Sequence, residues 1–516
     1  MVNAHSYLLT KVYLNDDGEM VQCPCEKEFA PEIIETTNDK FETVKNELVR
    51  PFKLEKGRLF RAEIYLTEDK KYLFTDFHHI IADGNSYDII FADINRAYMG
   101  EKLEKEYPVS VFAPLEARYD RAALEEAYGE IYEMYENGQL FTSDDYEQFA
   151  DMMVSAPIKA MCLNVAHDCN LRCSYCFAAQ GDFGGGRKLM TAEVGKKAID
   201  YLLKYSANRH NLEMDFFGGE PLMAFDVVKE VVEYARSKEK EYNKNFRFTI
   251  TTNGLLLTDD KIDFINKEMH NVVLSIDGRK EVNDRMRFHV DGSGCYDQIM
   301  PKFQKLVKAR GDGQYYVRGT FTKFNKDFAE DVLHFYEKGF DQISIEPVVT
   351  DPKLPYALTE EDLPEVFAEY ERLAKIIIEK RKNGEFFNFF HFMIDLDQGP
   401  CAIKRLRGCG CGNEYVSVTP EGDVYPCHQF VGKPEWIMGS VHDQSLNTEI
   451  KDSFAKTTVY TKPECKNCWA KFYCSGGCNA NNLEYAGSIK KPYKVACELE
   501  KKRLECAIMI KAALAD

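Results

Sequence analysis

The feature that most constrains the fold is an alternation of apolar runs and amphipathic segments that begins near residue 158. Strand-like runs such as IKAMCLNV, LEMDFF, FRFTITTN, NVVLSID, YYVRGTFT and QISIEPVV alternate with helical patterns such as MTAEVGKKAIDYLLKY and MAFDVVKEVVEYARSK. Such alternation predicts a parallel sheet wrapped by helices, either open or barrel-like. We therefore expect an α/β fold for this part of the chain.

Cysteine is concentrated in two parts of the 516-residue chain. Of 17 cysteines, ten lie between Cys401 and Cys506 and four between Cys162 and Cys176. The chain starts without a basic, then apolar, signal and has no apolar stretch of about 18 residues, so we predict a cytoplasmic protein without membrane contacts. A reducing compartment disfavours disulfides, so we expect metal or redox chemistry. The net charge of -18 argues against a nucleic-acid partner.

The sharpest motif is CX3CXXC, formed by Cys169, Cys173 and Cys176 directly after the first strand of the alternating region. Three thiolates on one short loop can hold three irons of a four-iron cluster, and the fourth iron then stays open to a chelating ligand. A zinc loop or a redox pair is the alternative, but zinc sites usually take four ligands and no second CXXC or His pair lies close in sequence. We predict these cysteines as metal ligands and as the catalytic centre.

Polar groups at the ends of the following strands resemble those of the radical S-adenosylmethionine (SAM) superfamily. The resemblance implies a partial (β/α)6 barrel in which the open iron binds SAM, and barrel folds place reacting groups at the C-terminal strand ends. The segment GGEP at residues 218–221 would by itself also fit a simple turn, and each of the other polar residues would by itself fit a helix cap or an ion pair. The predicted cofactor-binding residues are Gly218, Gly219, Glu220, Asn253, Ser275, Asp277, Arg318 and Glu346.

The C-terminal cysteines resemble the SPASM iron-sulfur domain, which implies two auxiliary [4Fe-4S] clusters. By that pattern Cys465, Cys468, Cys474 and Cys497 hold one cluster, while Cys427, Cys478 and an upstream cysteine hold the other. We favour Cys409 upstream, with Cys411 as a substitute and Cys401 as a fourth ligand or a nearby free thiol. A zinc ribbon is the alternative, but it needs four cysteines and this stretch supplies more.

A closer resemblance covers roughly residues 120–516. Segments such as AHDCNLRCSYCFA, DFFGGEPLM, VVLSIDGRKEVNDRMR and FYCSGGCNANN resemble the thioether-forming maturases of SCIFF peptides. The resemblance implies reductive cleavage of SAM, hydrogen abstraction from a peptide carbon and closure of a cysteine sulfur onto that carbon. The implied partners are a Cys-rich precursor peptide and an electron donor such as ferredoxin or flavodoxin. A formylglycine-forming sulfatase maturase is the alternative enzyme.

The N-terminal residues, about 1–105, resemble part of a condensation domain of nonribosomal peptide synthesis through HHIIADG. That resemblance implies a substrate-side role for His79 and a structural role for Asp83. The fragment lacks the family's second lobe, so we expect no condensation catalysis from it. A carrier-protein or acyl-binding module remains a non-enzyme alternative.

The predicted organisation therefore has four parts. An α+β condensation-like fragment spans 1–108, a helical remnant of a leader-peptide recognition module and linker spans 109–155, the radical SAM barrel spans 156–385, and the SPASM domain spans 386–516. The strands that would bind a precursor's leader are missing from this pattern, so peptide capture is the step most affected.

Overall fold

The structure, a computed structural model, describes residues 8, 10–14, 20–24, 29–52, 58–78, 84–101, 120–139, 144–150, 156–396 and 401–515. The chain divides into two units, Met1–Ser143 and Asp144–Asp516, and each is described by itself. Within these ranges no helix is both long enough and apolar enough to cross a membrane.

The first unit contains two small sheets and helices. Its strands are β1 (Thr10–Leu14), β2 (Met20–Pro24), β3 (Glu32–Glu35), β4 (Phe60–Leu66) and β5 (Lys71–Phe77), and its α-helices are α1 (Asn38–Val44), α2 (Gly84–Tyr98) and α3 (Arg121–Glu136). Strands β1 and β2 pair antiparallel, β3 runs parallel to β4, and β4 pairs antiparallel with β5. This is the α+β arrangement that the sequence predicts.

The β4–β5 hairpin follows from its sequence. Its two strands alternate apolar and polar residues, and the charged turn between them closes with a hydrogen bond from Thr67 N to Lys70 O of 2.9 Å. Helix α1 packs on the sheet through Phe41, whose ring centroid lies 4.2 Å from that of Tyr72. Of the HHIIADG segment, His79 and Asp83 lie outside the described residues.

The second unit is organised around one 11-stranded sheet. Its strands are β6 (Ala160–His167), β7 (Lys188–Leu189), β8 (Asn211–Gly218), β9 (Asn245–Thr252), β10 (Met269–Ser275), β11 (Gln314–Phe321), β12 (Gln342–Pro347), β13 (Asn388–Phe389), β14 (Tyr415–Val418), β15 (Asp423–Tyr425) and β16 (Gly439–Ser440). The order is β13-β12-β11-β10-β9-β8-β6-β14-β15-β16, and β7 pairs with β6. Strands β6 and β8 to β12 run parallel, which confirms the predicted α/β class.

Helices connect the parallel strands, as parallel pairing requires. The α-helices of the second unit are α4 (Glu147–Ala150), α5 (Ala192–Tyr205), α6 (Phe225–Tyr242), α7 (Asp259–Glu268), α8 (Lys280–Met286), α9 (Tyr296–Arg310), α10 (Phe328–Glu337), α11 (Leu363–Lys382), α12 (Ala402–Arg405), α13 (Thr448–Ala455), α14 (Pro463–Lys466), α15 (Lys471–Cys474), α16 (Asn479–Ala486) and α17 (Lys494–Ala513). All eight residues of β6 are buried, as expected for a strand covered on both faces.

The sheet continues into the cysteine-rich region. Strand β14 pairs in parallel with β6, so the C-terminal part adds a strand to the barrel sheet next to the strand that leads into the CX3CXXC loop. Between β16 and the long helix α17 the chain forms short helices and turns, and Phe454 from this stretch joins a small apolar cluster with Cys411 and Cys427. The predicted domain boundary at residue 385 remains a prediction.

Candidate functional site: a thiol-lined cavity at the strand ends

The CX3CXXC loop lies at the C-terminal end of β6. All three thiols, of Cys169, Cys173 and Cys176, line a cavity of about 370 Å³. Burial raises the pKa of Cys169 to about 11 and that of Cys173 to about 12, and the neighbouring thiols contribute to both shifts. Metal binding to this loop would therefore displace protons from its thiols.

Backbone hydrogen bonds hold the cysteine loop from one side. Arg172 N donates to Phe288 O at 2.8 Å, and Ser174 N donates to Met286 O at 2.9 Å. These acceptors lie at the end of α8 and just after it. The loop is therefore stabilised by a segment more than 100 residues away in sequence.

The loop Gly218–Gly219–Glu220 holds the cysteine loop from the other side. Gly219 N donates to Ala166 O at 2.7 Å, and Glu220 N donates to Asp168 O at 2.9 Å. A Cβ atom at Gly219 would lie 2.1 Å from Asp168 O, and one at Gly218 would lie 2.2 Å from Ala166 O. Both positions require glycine because the two backbones approach so closely.

Glu220 joins this loop to the end of β9. Its buried carboxylate accepts hydrogen bonds from Thr252 Oγ1 (2.7 Å), Asn253 N (2.8 Å) and Leu222 N (3.0 Å). Burial raises the pKa of Glu220, and these hydrogen bonds oppose the shift. Asn253 also donates to Asn170 Oδ1 at 2.8 Å, so the end of β9 contacts the cysteine loop directly.

Seven of the eight predicted cofactor-binding residues line the cavity, and Asp277 is the exception. Asp277 lies behind the wall, where it accepts hydrogen bonds from the Tyr175 hydroxyl (2.6 Å) and Thr320 N (3.0 Å). Arg287 Nη1 donates to the same Tyr175 hydroxyl at 3.1 Å. Burial raises the pKa of Asp277 to about 6. Its position is that of a support for Tyr175.

Glu346 lines the cavity at the end of β12. Its carboxylate lies 3.3 Å from His391 Nε2, 3.5 Å from Arg318 Nη2 and 4.0 Å from Arg503 Nη2. Burial alone would raise the pKa of Glu346, but these three side chains hold it well below its usual range. The carboxylate is therefore ionised, and α17 places the positive charge of Arg503 beside it.

The C-terminal thiols fall into two groups, according to which thiols act on one another electrostatically. In the first group, burial raises the pKa of Cys465 and Cys497, and neighbouring thiols of the same group raise it further. In the second group, burial and the neighbouring thiols raise the pKa of Cys411 and Cys478 in the same way. The groups are Cys465, Cys468, Cys474 and Cys497, and Cys409, Cys411, Cys427 and Cys478.

Cys411 belongs to the second group together with Cys409. The Cys411 thiol donates to the Cys427 sulfur, and this hydrogen bond lowers the pKa of Cys427. Burial raises the pKa of Cys411 well above its usual value. Cys401 is exposed. The structure thus gathers four thiols where the sequence pattern requires three.

Sequence reasoning missed an aromatic part of the cavity wall. Phe177, Phe217 and His428 line the cavity, with the His428 ring centroid 4.9 Å from that of Phe217 and 5.4 Å from that of Phe177. Burial lowers the pKa of His428 to about 4. Each of these residues is adjacent in sequence to a predicted site residue, and this adjacency could have been used to predict it. Arg287 had no such signal.

Comparison with known proteins defines the class. Family models match residues 163–338 (Radical SAM superfamily), 409–469 (SPASM, an iron-sulfur cluster-binding domain) and 1–129 (Condensation domain). The chain therefore has a radical SAM fold with a SPASM domain and a condensation-like N-terminal domain.

Individual relatives agree with this assignment. The cysteine-type anaerobic sulfatase-maturating enzyme of Clostridium novyi is 26% identical over 331 residues, covering 61% of this chain and 86% of that protein. Surfactin synthase subunit 2 of Bacillus subtilis is 38% identical over 105 residues, covering 20% of this chain and 3% of that protein. The structure of native anSMEcpe with bound AdoMet and Cp18Cys peptide matches with a TM-score of 0.58 at 21% identity, over 69% of this chain and 99% of that one.

The matched domains imply a SAM-binding [4Fe-4S] cluster, auxiliary [4Fe-4S] clusters and SAM. Among the described side chains there is no group of three or more His, Cys, Asp or Glu that could hold a metal ion. In a four-iron cluster each protein thiolate binds a different iron, so the thiols surround the cluster and need not converge on a single ion. The cysteine loop and both C-terminal thiol groups have the all-sulfur donor sets that such clusters use.

Proposed function

We propose that the chain is a radical SAM maturase that forms sulfur-to-carbon thioether cross-links in a ribosomally made, Cys-rich precursor peptide of the SCIFF type. The observation that carries the proposal is a single cavity whose wall includes both the CX3CXXC loop and residues next to auxiliary cysteines. His428 and Gln429 follow Cys427, and Asn481 lies three residues after Cys478. A peptide bound in this cavity would be close to two metal centres.

The proposed roles follow from position. The CX3CXXC cysteines hold the SAM-binding cluster and the two C-terminal thiol groups hold the auxiliary clusters. Asp277 acts as a positioning residue through Tyr175. The residues proposed to contact SAM are Gly218, Gly219, Glu220, Asn253, Ser275, Arg318 and Glu346.

When bound, SAM and its cluster supply a hydrogen-abstracting radical, and the auxiliary clusters supply electron-accepting sites. The chain's own residues bind and orient the peptide and keep water out. The ionised Glu346 and the aromatic wall formed by Phe177, Phe217 and His428 are the groups available to orient a peptide. We propose a ferredoxin or flavodoxin as the electron donor. We also propose that the chain has four parts, with boundaries after residues 108, 155 and 385.

Mass spectrometry of a Cys-rich precursor peptide tests this function. The reconstituted protein is incubated anaerobically with SAM, a reductant and the peptide, and Cys173→Ala is run in parallel. Each thioether removes two hydrogens and keeps the sulfur, and the variant should give no change. Cys506→Ala, which replaces a buried cysteine of α17 outside both thiol groups, is the matched control and should remain active. An unmodified peptide alongside 5'-deoxyadenosine formation would contradict the proposed substrate.

A sulfatase-maturing activity is the second candidate. It is favoured by the 26% identity to the Clostridium novyi enzyme, which covers most of that protein's length. The same experiment separates the two reactions, because oxidation of a cysteine to formylglycine expels the sulfur. A sulfatase-derived Cys peptide that loses sulfur, while the precursor peptide is unchanged, would favour this candidate.

Binding of a carrier protein is a non-enzyme candidate for the N-terminal unit. It is favoured by the condensation-domain match over residues 1–129. If it is right, binding of a phosphopantetheine carrier persists when the cluster cysteines are replaced, and His79→Ala weakens it. Binding that is unaffected by His79→Ala would contradict this role.

A further inference from the structure

Lys462 is a buried lysine in the cysteine-rich region, with a relative exposure of 2%. Its ammonium donates to two neutral oxygens, Gly476 O at 2.6 Å and Asn479 Oδ1 at 3.1 Å. Within the described part of the chain it forms no ion pair with a carboxylate, and the titratable side chains that act on it most are the thiols of Cys465, Cys474, Cys478 and Cys497. The hydrogen-bond acceptors of this buried ammonium are therefore neutral oxygens, and they do not compensate its charge.

The ammonium lies at the junction of the two auxiliary thiol groups. Its acceptor Gly476 is midway between Cys474 of one group and Cys478 of the other. Lys462 itself precedes Cys465 by three residues, and the Lys462 carbonyl accepts the Cys465 backbone N–H at 2.9 Å. The positive charge is thus placed within reach of both groups by the chain segments that carry them.

A second buried side chain completes this junction. Asn482 Nδ2 donates to the same Gly476 carbonyl at 3.1 Å, and Asn482 Oδ1 accepts from Tyr493 N at 2.9 Å. Tyr493 O in turn accepts the Cys497 N–H at 3.1 Å. The hydrogen bonds therefore connect Lys462 with the segment that carries Cys497 of the first group.

An unpaired buried ammonium carries a large desolvation penalty unless an anionic group compensates it. Three or four thiolates outweigh the positive charge of an iron-sulfur core, so each auxiliary cluster is an anion, and becomes more so on reduction. Net charge and hydrogen bonding near the sulfurs are among the factors that set cluster potentials. The auxiliary clusters are therefore the anions that would compensate the buried charge of Lys462.

We propose that Lys462 is a positioning residue for electron transfer: its positive charge, fixed between the two auxiliary clusters, stabilises their reduced states and raises their reduction potentials. The role depends on the auxiliary clusters and not on which peptide the enzyme modifies. It would operate equally in a thioether-forming and a formylglycine-forming enzyme, so failure of either proposed reaction leaves it unaffected.

The test is a redox titration monitored by electron paramagnetic resonance. The full chain carries Cys169→Ala, Cys173→Ala and Cys176→Ala, so that only the auxiliary clusters contribute to the signal. Lys462→Met removes the charge, and Lys462→Gln removes the charge but keeps a hydrogen-bond donor. Both should shift the potential of at least one auxiliary cluster to more negative values at unchanged iron content.

Lys451→Met is the matched control. Lys451 is also a buried lysine of the C-terminal region, and it likewise donates to one backbone carbonyl (Ala156 O, 2.8 Å) and one Asn oxygen (Asn413 Oδ1, 2.8 Å). The charged groups that act on it are Asp452, Arg407 and Glu414 instead of thiols. Its replacement should leave the auxiliary potentials where they are in the parent protein.

Unchanged potentials in Lys462→Met and Lys462→Gln, with full iron content, would overturn the proposal. If Lys462→Met does not take up iron, Lys462→Arg decides: normal iron uptake with a near-parental potential supports a role for the charge. Iron uptake and a parental potential in Lys462→Gln would show that hydrogen bonding suffices, against the proposal. Loss of iron from both Lys462→Gln and Lys462→Arg, but not from Lys451→Met, would make Lys462 a folding residue and also overturn it.

Discussion

The two cysteine regions of the second unit are held in place by different forces. The CX3CXXC loop follows β6, a fully buried strand, and backbone hydrogen bonds fix it on both sides. Apart from Cys497 on α17, the C-terminal thiols lie among short helices and turns, and Cys411, Cys427 and Cys465 are themselves part of the small apolar clusters there. The barrel should therefore keep its cysteine loop without metal, whereas the C-terminal region needs its clusters for order.

The largest expected effect comes from the cysteine loop. Cys173→Ala should abolish 5'-deoxyadenosine formation, because the SAM-binding cluster loses one of its three ligands. The same variant should keep its auxiliary clusters, since they belong to the other region. Chromatography of the SAM products and iron analysis check both points. Loss of all iron would show that the two regions are not independent.

Removal of iron should separate the two regions in hydrogen exchange. After anaerobic chelation, backbone amides of α14, α15 and α16 should exchange much faster, while those of β8 and β9 should stay protected by the barrel core. Exchange measured by mass spectrometry with and without iron gives the comparison directly. Equal loss of protection in β8 and α16 would mean that the barrel also depends on metal.

Replacement of the upstream cysteines should rank their roles within the second thiol group. Cys411→Ala should remove iron equivalent to one auxiliary cluster, because this buried thiol hydrogen-bonds Cys427. Cys401→Ala, at a position outside both thiol groups, should leave the iron content unchanged and serves as the control. Iron analysis of Cys409→Ala then shows whether the cluster needs both thiols. A normal iron content in Cys411→Ala would assign the ligand role to Cys409 alone.

Gly219→Ala tests how strongly the barrel fixes its cysteine loop. The new Cβ would lie 2.1 Å from Asp168 O, so the two loops must separate, at a cost of about 1–3 kcal/mol. We expect a lower occupancy of the SAM-binding cluster and a lower thermal transition. Gly185→Ala is the control, because its Cβ would meet its nearest neighbour, Asp182 O, at 3.9 Å. Matching behaviour of the two variants would contradict the proposed close packing.

Asp215→Asn tests the metal-independent stability of the barrel. Burial raises the pKa of Asp215 from 3.8 to about 6, so between these values the folded state holds more protons than the unfolded state. Barrel stability should therefore fall as pH rises through this window, by up to about 3 kcal/mol. Asp215→Asn should lose this dependence, as measured by thermal unfolding between about pH 4 and 7. If Asp215→Asn keeps the pH dependence of stability seen in the parent protein, a group other than Asp215 is responsible for it.

Much of the barrel could be predicted from sequence because its signals are local. The strands β6, β8 and β9 are periodic apolar runs with helical patterns between them, and the three cysteines of the loop lie within eight residues. Residues at the ends of parallel strands necessarily meet at one edge of the sheet. For that reason seven of the eight residues predicted at strand ends line the same cavity.

The exceptions have a common cause. Asp277 follows its strand as the others do, but its carboxylate turns behind the wall to Tyr175 and Thr320 N. Arg287 reaches the same hydroxyl from the end of α8, at a position that no strand-end rule covers. The positions of Asp277 and Arg287 depend on which side chains pack behind the cavity wall. Such packing produces no periodic pattern in the sequence from which it could be predicted.

The sequence by itself determined the class of the fold, the spacing of the first three cysteines and the number of thiols available further on. Only the tertiary structure decided that Cys409 and Cys411 both belong to the second thiol group, that β14 joins the barrel sheet beside β6, and that Lys462 hydrogen-bonds the segment between Cys474 and Cys478. The physical reason is range. Helix and strand patterns are written in neighbouring residues, whereas these contacts join segments far apart in the chain and depend on how the intervening elements pack.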